Sequence, residues 1–283
     1  MIHKEPLASY LKSRAFLGAL ELSEGEPVVF SLLGQGEYNV NYSFIHPRTG
    51  KKLVLRINTG SQMHLEDQIG YEFTALQYLA PSGRTPKPLF CDRERGLLVM
   101  EWLPGRTLDY KTDMDEAAGI LADIHSVPVP EGCRLIRPSW PAQAIYEECL
   151  DMVRHYYDWE KRDPEVEALL RQLVKETGNL PLTEKAGEGV PLCMVNTELN
   201  SGNFLIDLQG VSSLVDWEKP LVSEPAQDLG HFLAPTTTFW KTDVILSPGE
   251  VRRFVETYRA LVGDRMDCRL LPERVSLFLR VTC

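Results

Sequence analysis

The sequence lacks the cysteine spacing of a disulfide framework or of a cysteine zinc site. Its 283 residues include six cysteines, and no two of them form a Cys-x-x-Cys pair. They stand at Cys91, Cys133, Cys149, Cys193, Cys268 and Cys283. Disulfide scaffolds and zinc sites repeat such short spacings. We therefore expect reduced, mostly buried thiols.

Long apolar runs are also missing. No stretch approaches the ~18 to 20 apolar residues that span a bilayer. Lys4 and Glu5 interrupt the region where a secretory signal would need its apolar core. Together with reduced thiols, these absences lead us to expect a cytoplasmic protein with no membrane partner.

Positive charge is scarce, since 30 Lys and Arg face 40 Asp and Glu for a formal net charge of -10. A nucleic-acid partner is disfavoured because no basic excess remains to neutralise phosphates. The Gly-Lys-Ser/Thr sequence of a P-loop is absent as well, which disfavours a P-loop NTPase. With 43% hydrophobic residues, the chain can still fill a sizeable core.

The first part of the chain is rich in strand signals. Apolar spacing predicts an opening helix over residues 7–20, and residues 65–79 form a second helical pattern. Turn residues separate β-rich segments, which predicts a small antiparallel sheet with one main helix packed on it. The predicted strands are residues 28–33, 38–45, 53–57, 87–91 and 97–102.

The remainder is predicted to be mostly helical, so the fold class is α+β. Helical patterns cover residues 115–125, 141–159, 164–177, 249–261 and 272–281. The change of character near Pro104 and Gly105 predicts a boundary between an N-terminal lobe, residues 1–103, and a C-terminal lobe, residues 104–283. Clefts between such lobes are where ligands bind.

The most informative stretch runs from Val195 to Trp217. Glu198 is followed five positions later by Asn203, then by a short hairpin that ends at Asp216. With a two-residue Gln209-Gly210 turn, position 203 lies opposite 216, roughly 4.5 to 5.5 Å apart at Cβ. Two such oxygen ligands can share Mg²⁺ with phosphate oxygens and water. An ordinary loop followed by a hairpin with a polar tip is the alternative.

Further motifs stand in a fixed order along the chain. Gly34 and Gly36 lie in a glycine loop between two strands, Arg56 lies in the third strand, and Glu72 lies in the following helix. The segment from Leu98 to Gly105 then leads out of the sheet. In isolation, a tight hairpin explains the glycines, and an exposed arginine with a solvated glutamate explains the pair.

In this order the motifs resemble the aminoglycoside phosphotransferase and choline kinase family, small-molecule relatives of protein kinases. The resemblance covers nearly the whole chain from Val28 and implies a protein-kinase-like, two-lobed fold with ATP and Mg²⁺ as cofactors. It implies that Glu198 is the catalytic carboxylate and that Asn203 and Asp216 hold the metal. The nucleotide-binding residues it implies are Gly34, Gly36, Asn39, Arg56, Glu72, Glu101 and Leu103, the last two contacting adenine through the backbone.

The sequence departs from the family at the catalytic loop. The family usually has His-Gly-Asp where this chain has Asn196-Thr197-Glu198. Glu is one methylene longer than Asp, which shifts the carboxylate by roughly 1.5 Å, and a misplacement of that order can cost about a hundredfold in rate. His125 and Asp228 also match family positions, and we expect them to support the loop rather than take part in the chemistry.

Two functions follow as hypotheses. The first is an ATP-dependent phosphotransferase that moves the γ-phosphate to a hydroxyl of a small polar metabolite or aminoglycoside-like substrate, with Glu198 as the base. The second is a catalytically weak, pseudokinase-like nucleotide-binding module. The acceptor and the oligomeric state are not readable from the sequence.

Overall fold

The computed structural model describes residues 9–283 except 24, 25, 27, 185, 186 and 188. Residues 7 and 8 of the predicted first helix lie outside this range. Within it, helix α1 covers Arg14–Ala19, and the Ser13 side chain caps it by accepting the N–H of Phe16. The helix is therefore shorter than predicted.

An antiparallel five-stranded sheet follows, with the order β1-β2-β3-β5-β4. The prediction of three strands, one helix and two strands is confirmed. The bounds are β1 Ser31–Gln35, β2 Asn39–Ile45, β3 Lys52–Asn58, helix α2 Gln68–Leu79, β4 Pro88–Asp92 and β5 Leu97–Glu101. Helix α2 begins three residues later than predicted because the Asp67 side chain caps it at the N–H of Gly70.

The rest of the chain is mostly helical. Its elements are β6 Arg106–Thr107, α3 Met114–His125, α4 Pro141–Asp158, α5 Pro164–Thr177, β7 Cys193–Val195, β8 Phe204–Ile206, β9 Ser213–Leu214, β10 Leu221–Ser223, α6 Pro225–Leu233, α7 Pro235–Lys241, α8 Pro248–Val262 and α9 Leu271–Thr282. Helices α6 and α7 were not predicted, because both are too short to establish a helical period. Each has Pro at its first turn, which is a helix-start signal.

Strands β8 and β9 pair one residue out of the predicted register. The backbone N–H of Val215 donates to the carbonyl oxygen of Asn203 at 2.8 Å. Asn203 therefore lies opposite Val215, and its predicted pairing with Asp216 is wrong. The cause is the loop, in which residues 208–210 make a three-residue turn stabilised by the Asp207 side chain rather than a two-residue turn.

One continuous apolar core joins the sheet to the helices. Val54 and Met100 from the sheet are buried in the same cluster as Leu76 of α2 and Phe278 of α9. A smaller cluster on the other face of the sheet packs Phe16 of α1 against neighbouring strands. The predicted lobe boundary between residues 103 and 104 stays a prediction.

Six cysteines are free, as expected, but their predicted burial is wrong for most of them. Cys193 is buried, Cys283 is exposed, and the others are partly exposed. Among the described residues, no helix combines the length and apolar character needed to cross a bilayer.

Gly230 marks the closest approach of α6 and α9. A Cβ at this position would lie 2.5 Å from the Cβ of Phe278 and 2.7 Å from the backbone N of Leu279. We expect Gly230→Ala to lower the free energy of unfolding by roughly 1–3 kcal/mol, since both helices must shift. Urea denaturation measures it.

The matched control is Gly119→Ala in α3, where a Cβ meets nothing within 4 Å. The same substitution there should raise the free energy of unfolding by about 0.5–1 kcal/mol, because Ala is the better helix former. Equal effects at the two positions would contradict the close approach as the cause.

Candidate active site

A buried carboxylate organises the loop that carries Glu198. Asp228, on α6, accepts the backbone N–H groups of Asn196 and Thr197, both at 2.8 Å. Its side chain is fully buried. Because a buried carboxylate needs such donors, the loop conformation and the position of α6 depend on each other.

His125 connects this carboxylate to the helical core. Its Nε2 lies 3.2 Å from Asp228, and its Nδ1 lies 2.9 Å from the hydroxyl of Tyr258 on α8. A carboxylate only accepts, so Nε2–H donates to Asp228 and Nδ1 faces the Tyr258 hydroxyl. The supporting roles predicted for His125 and Asp228 agree with these contacts.

Asn196 replaces the usual histidine and still orders the loop. Its Nδ2 donates to the carbonyl oxygen of Asp216 at 2.8 Å, and its Oδ1 accepts the backbone N–H of Glu198 at 3.2 Å. The side chain thus ties the segment of Glu198 to the segment of Asp216.

Thr197 occupies backbone space that favours glycine. Its φ is 75°, in the left-handed region, where a β-branched residue is strained. The Thr197 hydroxyl compensates by donating to the carbonyl oxygen of Lys219 at 2.8 Å. A glycine at this position, as in His-Gly-Asp, is explained by the same backbone geometry.

The Glu198 side chain is about one third exposed and lies beside Lys219. The Lys219 Nζ is 3.3 Å from Glu198 Oε1. Burial raises the pKa of Glu198, and Lys219 opposes that rise. The amide of Gln62 fits between them. With its orientation assigned from these neighbours, its nitrogen lies 3.1 Å from Glu198 Oε1 and its oxygen 3.0 Å from Lys219 Nζ. Sequence analysis missed both neighbours, although Lys219 lies only three residues after Asp216.

The two predicted metal ligands are held at the same loop. Asn203 donates its Nδ2 to the carbonyl oxygen of Glu198 at 3.0 Å, so its Oδ1 remains the ligand atom, with Asn200 Nδ2 3.3 Å away. Asp216 has a φ of 66°. This left-handed residue turns the chain directly after the hairpin, and the Asp216 carboxylate contacts Arg56.

Arg56 is a buried cation between two acids. Alternate residues of a strand share a face, so Arg56 points to the same side of β3 as the buried Val54, toward α2. Its Nη1 lies 2.7 Å from Glu72, and its Nη2 lies 3.1 Å from Asp216. With exposures of 6% and 1%, Arg56 and Glu72 are buried, and the alternative of an exposed pair is wrong.

Asn39 and Glu218 connect the sheet to the segment after Asp216. The Asn39 Nδ2 donates to Glu218 Oε2, and Gln68 of α2 donates to the Glu218 carbonyl oxygen at 2.6 Å. Burial, with a smaller contribution from the Asp216 carboxylate, raises the pKa of Glu218 to about 7. Glu218 is therefore a second acid at this site.

Neither backbone conformation nor a close contact within the protein requires glycine at Gly34 or Gly36. Gly34 lies inside β1 beside a register shift, and Gly36 donates its N–H to Asn39 at 2.9 Å. A Cβ at Gly34 would meet nothing within 4 Å, and at Gly36 it would reach only the Asn39 carbonyl oxygen at 3.8 Å. The space above both residues is open to a ligand.

The predicted adenine contacts lie where the sheet ends. The N–H of Glu101 already donates to the carbonyl oxygen of Lys87 at 2.9 Å, so the predicted adenine contact at Glu101 would have to use its carbonyl oxygen rather than its N–H. Among the described residues, the Leu103 N–H has no backbone acceptor.

The oxygen atoms at this site fit a magnesium ion. Asn203 and Asp216 supply an amide and a carboxylate oxygen, the hard ligands that Mg²⁺ prefers. No group of three or more His, Cys, Asp or Glu in the described part of the chain forms a metal cage, so phosphate oxygens and water would complete the coordination.

The sequence model of the phosphotransferase enzyme family (APH) matches residues 29–268. The chain belongs to this family. The resemblance predicted from the motifs is therefore confirmed.

Known proteins agree with this family membership. Thiamine kinases of two Escherichia coli strains, O17:K52:H18 and O127:H6, are 28% identical over 182 residues, which is 62% of this chain. The match spans 56% of those relatives, little more than half of their length.

Two solved structures show the fold. The ethanolamine kinase of Plasmodium vivax has a TM-score of 0.68 at 16% identity, covering 100% of this chain and 81% of that chain. A spectinomycin phosphotransferase in complex with ADP and spectinomycin has a TM-score of 0.59 at 14% identity, covering 90% and 80%. The predicted α+β, protein-kinase-like fold is confirmed. Membership of this family and the kinase relatives support a small-molecule phosphotransferase. They do not specify its substrate.

The strain at Thr197 can be measured against the hydrogen bond that compensates for it. Thr197→Val keeps the β-branch and loses the hydroxyl, so the free energy of unfolding should fall by about 1 kcal/mol. Thr197→Gly also loses the hydroxyl but relieves the left-handed strain, so it should be about 1 kcal/mol more stable than Thr197→Val. Urea denaturation of the two variants and wild type measures both differences. A glycine variant as unstable as the valine variant would show that the strain is negligible.

Proposed function

We propose that the protein transfers the γ-phosphate of ATP to a hydroxyl group of a small polar metabolite. The observation that carries the proposal is the shared loop of Glu198 and Asn203. The Asn203 amide donates to the backbone of Glu198, and Asn196 ties the same loop to Asp216. Acid and metal ligands are thereby held in one unit braced by Asp228.

In the proposed reaction, Glu198 orients the acceptor hydroxyl and takes its proton. The acceptor oxygen forms a bond to the γ-phosphorus while the bond from that phosphorus to the bridging oxygen breaks, and ADP leaves. Asn203 and Asp216 would hold Mg²⁺, which supplies positive charge to the phosphates when bound. Positioning and charge stabilisation contribute most of the catalysis in such transfers.

The sheet would bind the rest of the nucleotide. The open space over Gly34 and Gly36 would let phosphates approach the backbone of this loop without meeting a Cβ. Arg56 uses three of its five N–H groups on Glu72, Asp216 and Asn41, and the remaining two can reach a phosphate. Adenine would bind the backbone at Glu101 and Leu103, and Asn39 would support the glycine loop.

Comparison with the relatives supports these assignments. The spectinomycin phosphotransferase structure is a complex with ADP, which favours ATP as the donor here. The relatives differ in activity, from thiamine kinase to ethanolamine kinase, so the acceptor is assigned only as a hydroxyl compound. A nucleotide donor and six unpaired cysteines favour the cytoplasm.

MgATP should raise the melting temperature far more than ATP with excess chelator does, because the triphosphate is held through the metal as well as directly. Asp216→Asn should lose most of the Mg-dependent part of the shift, since it removes the carboxylate charge at nearly constant shape. Thermal unfolding monitored by fluorescence measures both.

Asp264→Asn, at an exposed position, is the matched control and should keep the full shift. Equal shifts with and without metal in the wild type would remove the metal site from the proposal while leaving nucleotide binding intact.

Glu198→Gln should lower turnover by roughly a hundredfold to ten-thousandfold, the range for a positioned acid-base group. The Kd for MgATP should barely change, because Glu198 lies on the acceptor side. ADP release over a metabolite panel, read above the no-acceptor background, measures turnover. Glu94→Gln in the exposed turn before β5 is the control.

The same assay separates the enzyme from a decayed, pseudokinase-like module. In an active enzyme adapted to the longer acid, Glu198→Asp also loses activity. In a decayed one, Glu198→Asp leaves activity unchanged or raises it, and Glu198→Gln alters nothing measurable.

A further inference from the structure

The side chains of Lys219 and Gln62 meet at one carboxylate oxygen of Glu198. Lys219 Nζ lies 3.3 Å from Glu198 Oε1. The Gln62 amide also reaches this atom, and in the orientation assigned from its neighbours its nitrogen donates to Oε1 at 3.1 Å. Gln62 also contacts Lys219, oxygen to Nζ, at 3.0 Å. Among the described residues, Glu198 Oε2 has no such partner, so the two oxygens of this acid are not equivalent.

Lys219 is well placed to fix the acid. Its side chain is only 16% exposed, and its Nζ is held on the other side by Glu148 of α4 at 3.5 Å. The backbone of Lys219 is fixed as well, because its carbonyl oxygen accepts the Thr197 hydroxyl. An ion pair in this setting contributes little to stability but restricts where the carboxylate lies.

The longer acid makes such restriction necessary. Glu has one more rotatable bond than Asp, so its carboxylate samples more positions unless neighbours hold it. A displacement of about 1 Å can cost about a hundredfold in rate. Donors that bind one oxygen leave the other directed at the acceptor side.

We propose that Lys219, together with Gln62, is a positioning residue that adapts the active site to a glutamate base. By holding Oε1, it presents Oε2 to the acceptor hydroxyl. The proton passes from that hydroxyl to Oε2 while the acceptor oxygen bonds to phosphorus and ADP departs. This inference rests on the proposed phosphotransferase activity.

Gln62 adds a link across the cleft. It belongs to the segment between β3 and α2, whereas Glu198 and Lys219 follow β7 and β9. The acid is therefore held in part by the region of the chain that carries the glycine loop, so its position is tied to the nucleotide side of the cleft.

The test uses the full chain with Lys219→Met, which keeps length and removes charge, and Lys51→Met at an exposed turn as matched control. Steady-state ADP release is measured with MgATP and the acceptor of the panel that gives the highest rate. If no acceptor gives a higher rate than water, water is used as the acceptor. We expect kcat to fall roughly tenfold to a hundredfold in Lys219→Met. The KM for MgATP and its thermal shift should stay at the wild-type values, as should all parameters of Lys51→Met.

A double-mutant cycle with Glu198→Asp shows whether Lys219 acts through the acid. The shorter side chain withdraws from Nζ, so Lys219→Met should have little further effect on kcat in that background. Equal effects of Lys219→Met in both backgrounds would overturn the inference, as would undiminished kcat in the single variant.

Gln62→Leu provides a second variant at an exposed position, and it should lower kcat in the same direction. If Lys219→Met fails to fold, undiminished kcat in Gln62→Leu overturns the inference. A wild type that releases no ADP with any acceptor or with water would overturn the proposed function and this inference together. Wild-type kcat in both Lys219→Met and Gln62→Leu would overturn this inference and leave the proposed function intact.

Discussion

The site depends on the buried carboxylate of Asp228. Its two oxygens accept backbone N–H groups from consecutive residues, and His125 donates to one of them. Consecutive donors to one carboxylate fix the path of the chain, which is why Thr197 can be kept in left-handed space. Everything that follows on the loop, including Glu198 and Asn203, is placed relative to α6 by these contacts.

Charge balance is the second constraint. Asp216, Glu218 and Glu198 interact electrostatically at the site, whereas the cations that face them are Arg56 and Lys219. Arg56 is already shared with the buried Glu72. The acids therefore outnumber the cations, and the divalent ion proposed for this site would offset part of the negative charge.

The limits of sequence prediction follow from the range of each interaction. The strands and the main helix of the sheet were predictable because local periodicity encodes them. The placement of Arg56 and Glu72 and the support of the loop by His125 and Asp228 were predictable only through the family resemblance. The hairpin register was not predictable, because a two-residue turn and a three-residue turn both fit the same sequence. The contact between Gln62 and Lys219 was not predictable either. These residues are far apart in the chain, and flexible polar side chains carry no periodic signal. Family membership confirms the fold, and the site residues stay predictions.

The continuous core has a consequence for how the molecule moves. Strands β3 and β5 share buried side chains with α2 and with the C-terminal helices, so these parts cannot separate without exposing apolar surface to water. Strand β1, by contrast, is exposed along its whole length and contributes nothing to either core. For the proposed nucleotide, entry and exit by bending this outer strand would expose the least apolar surface, while the other strands and the helices stay packed together.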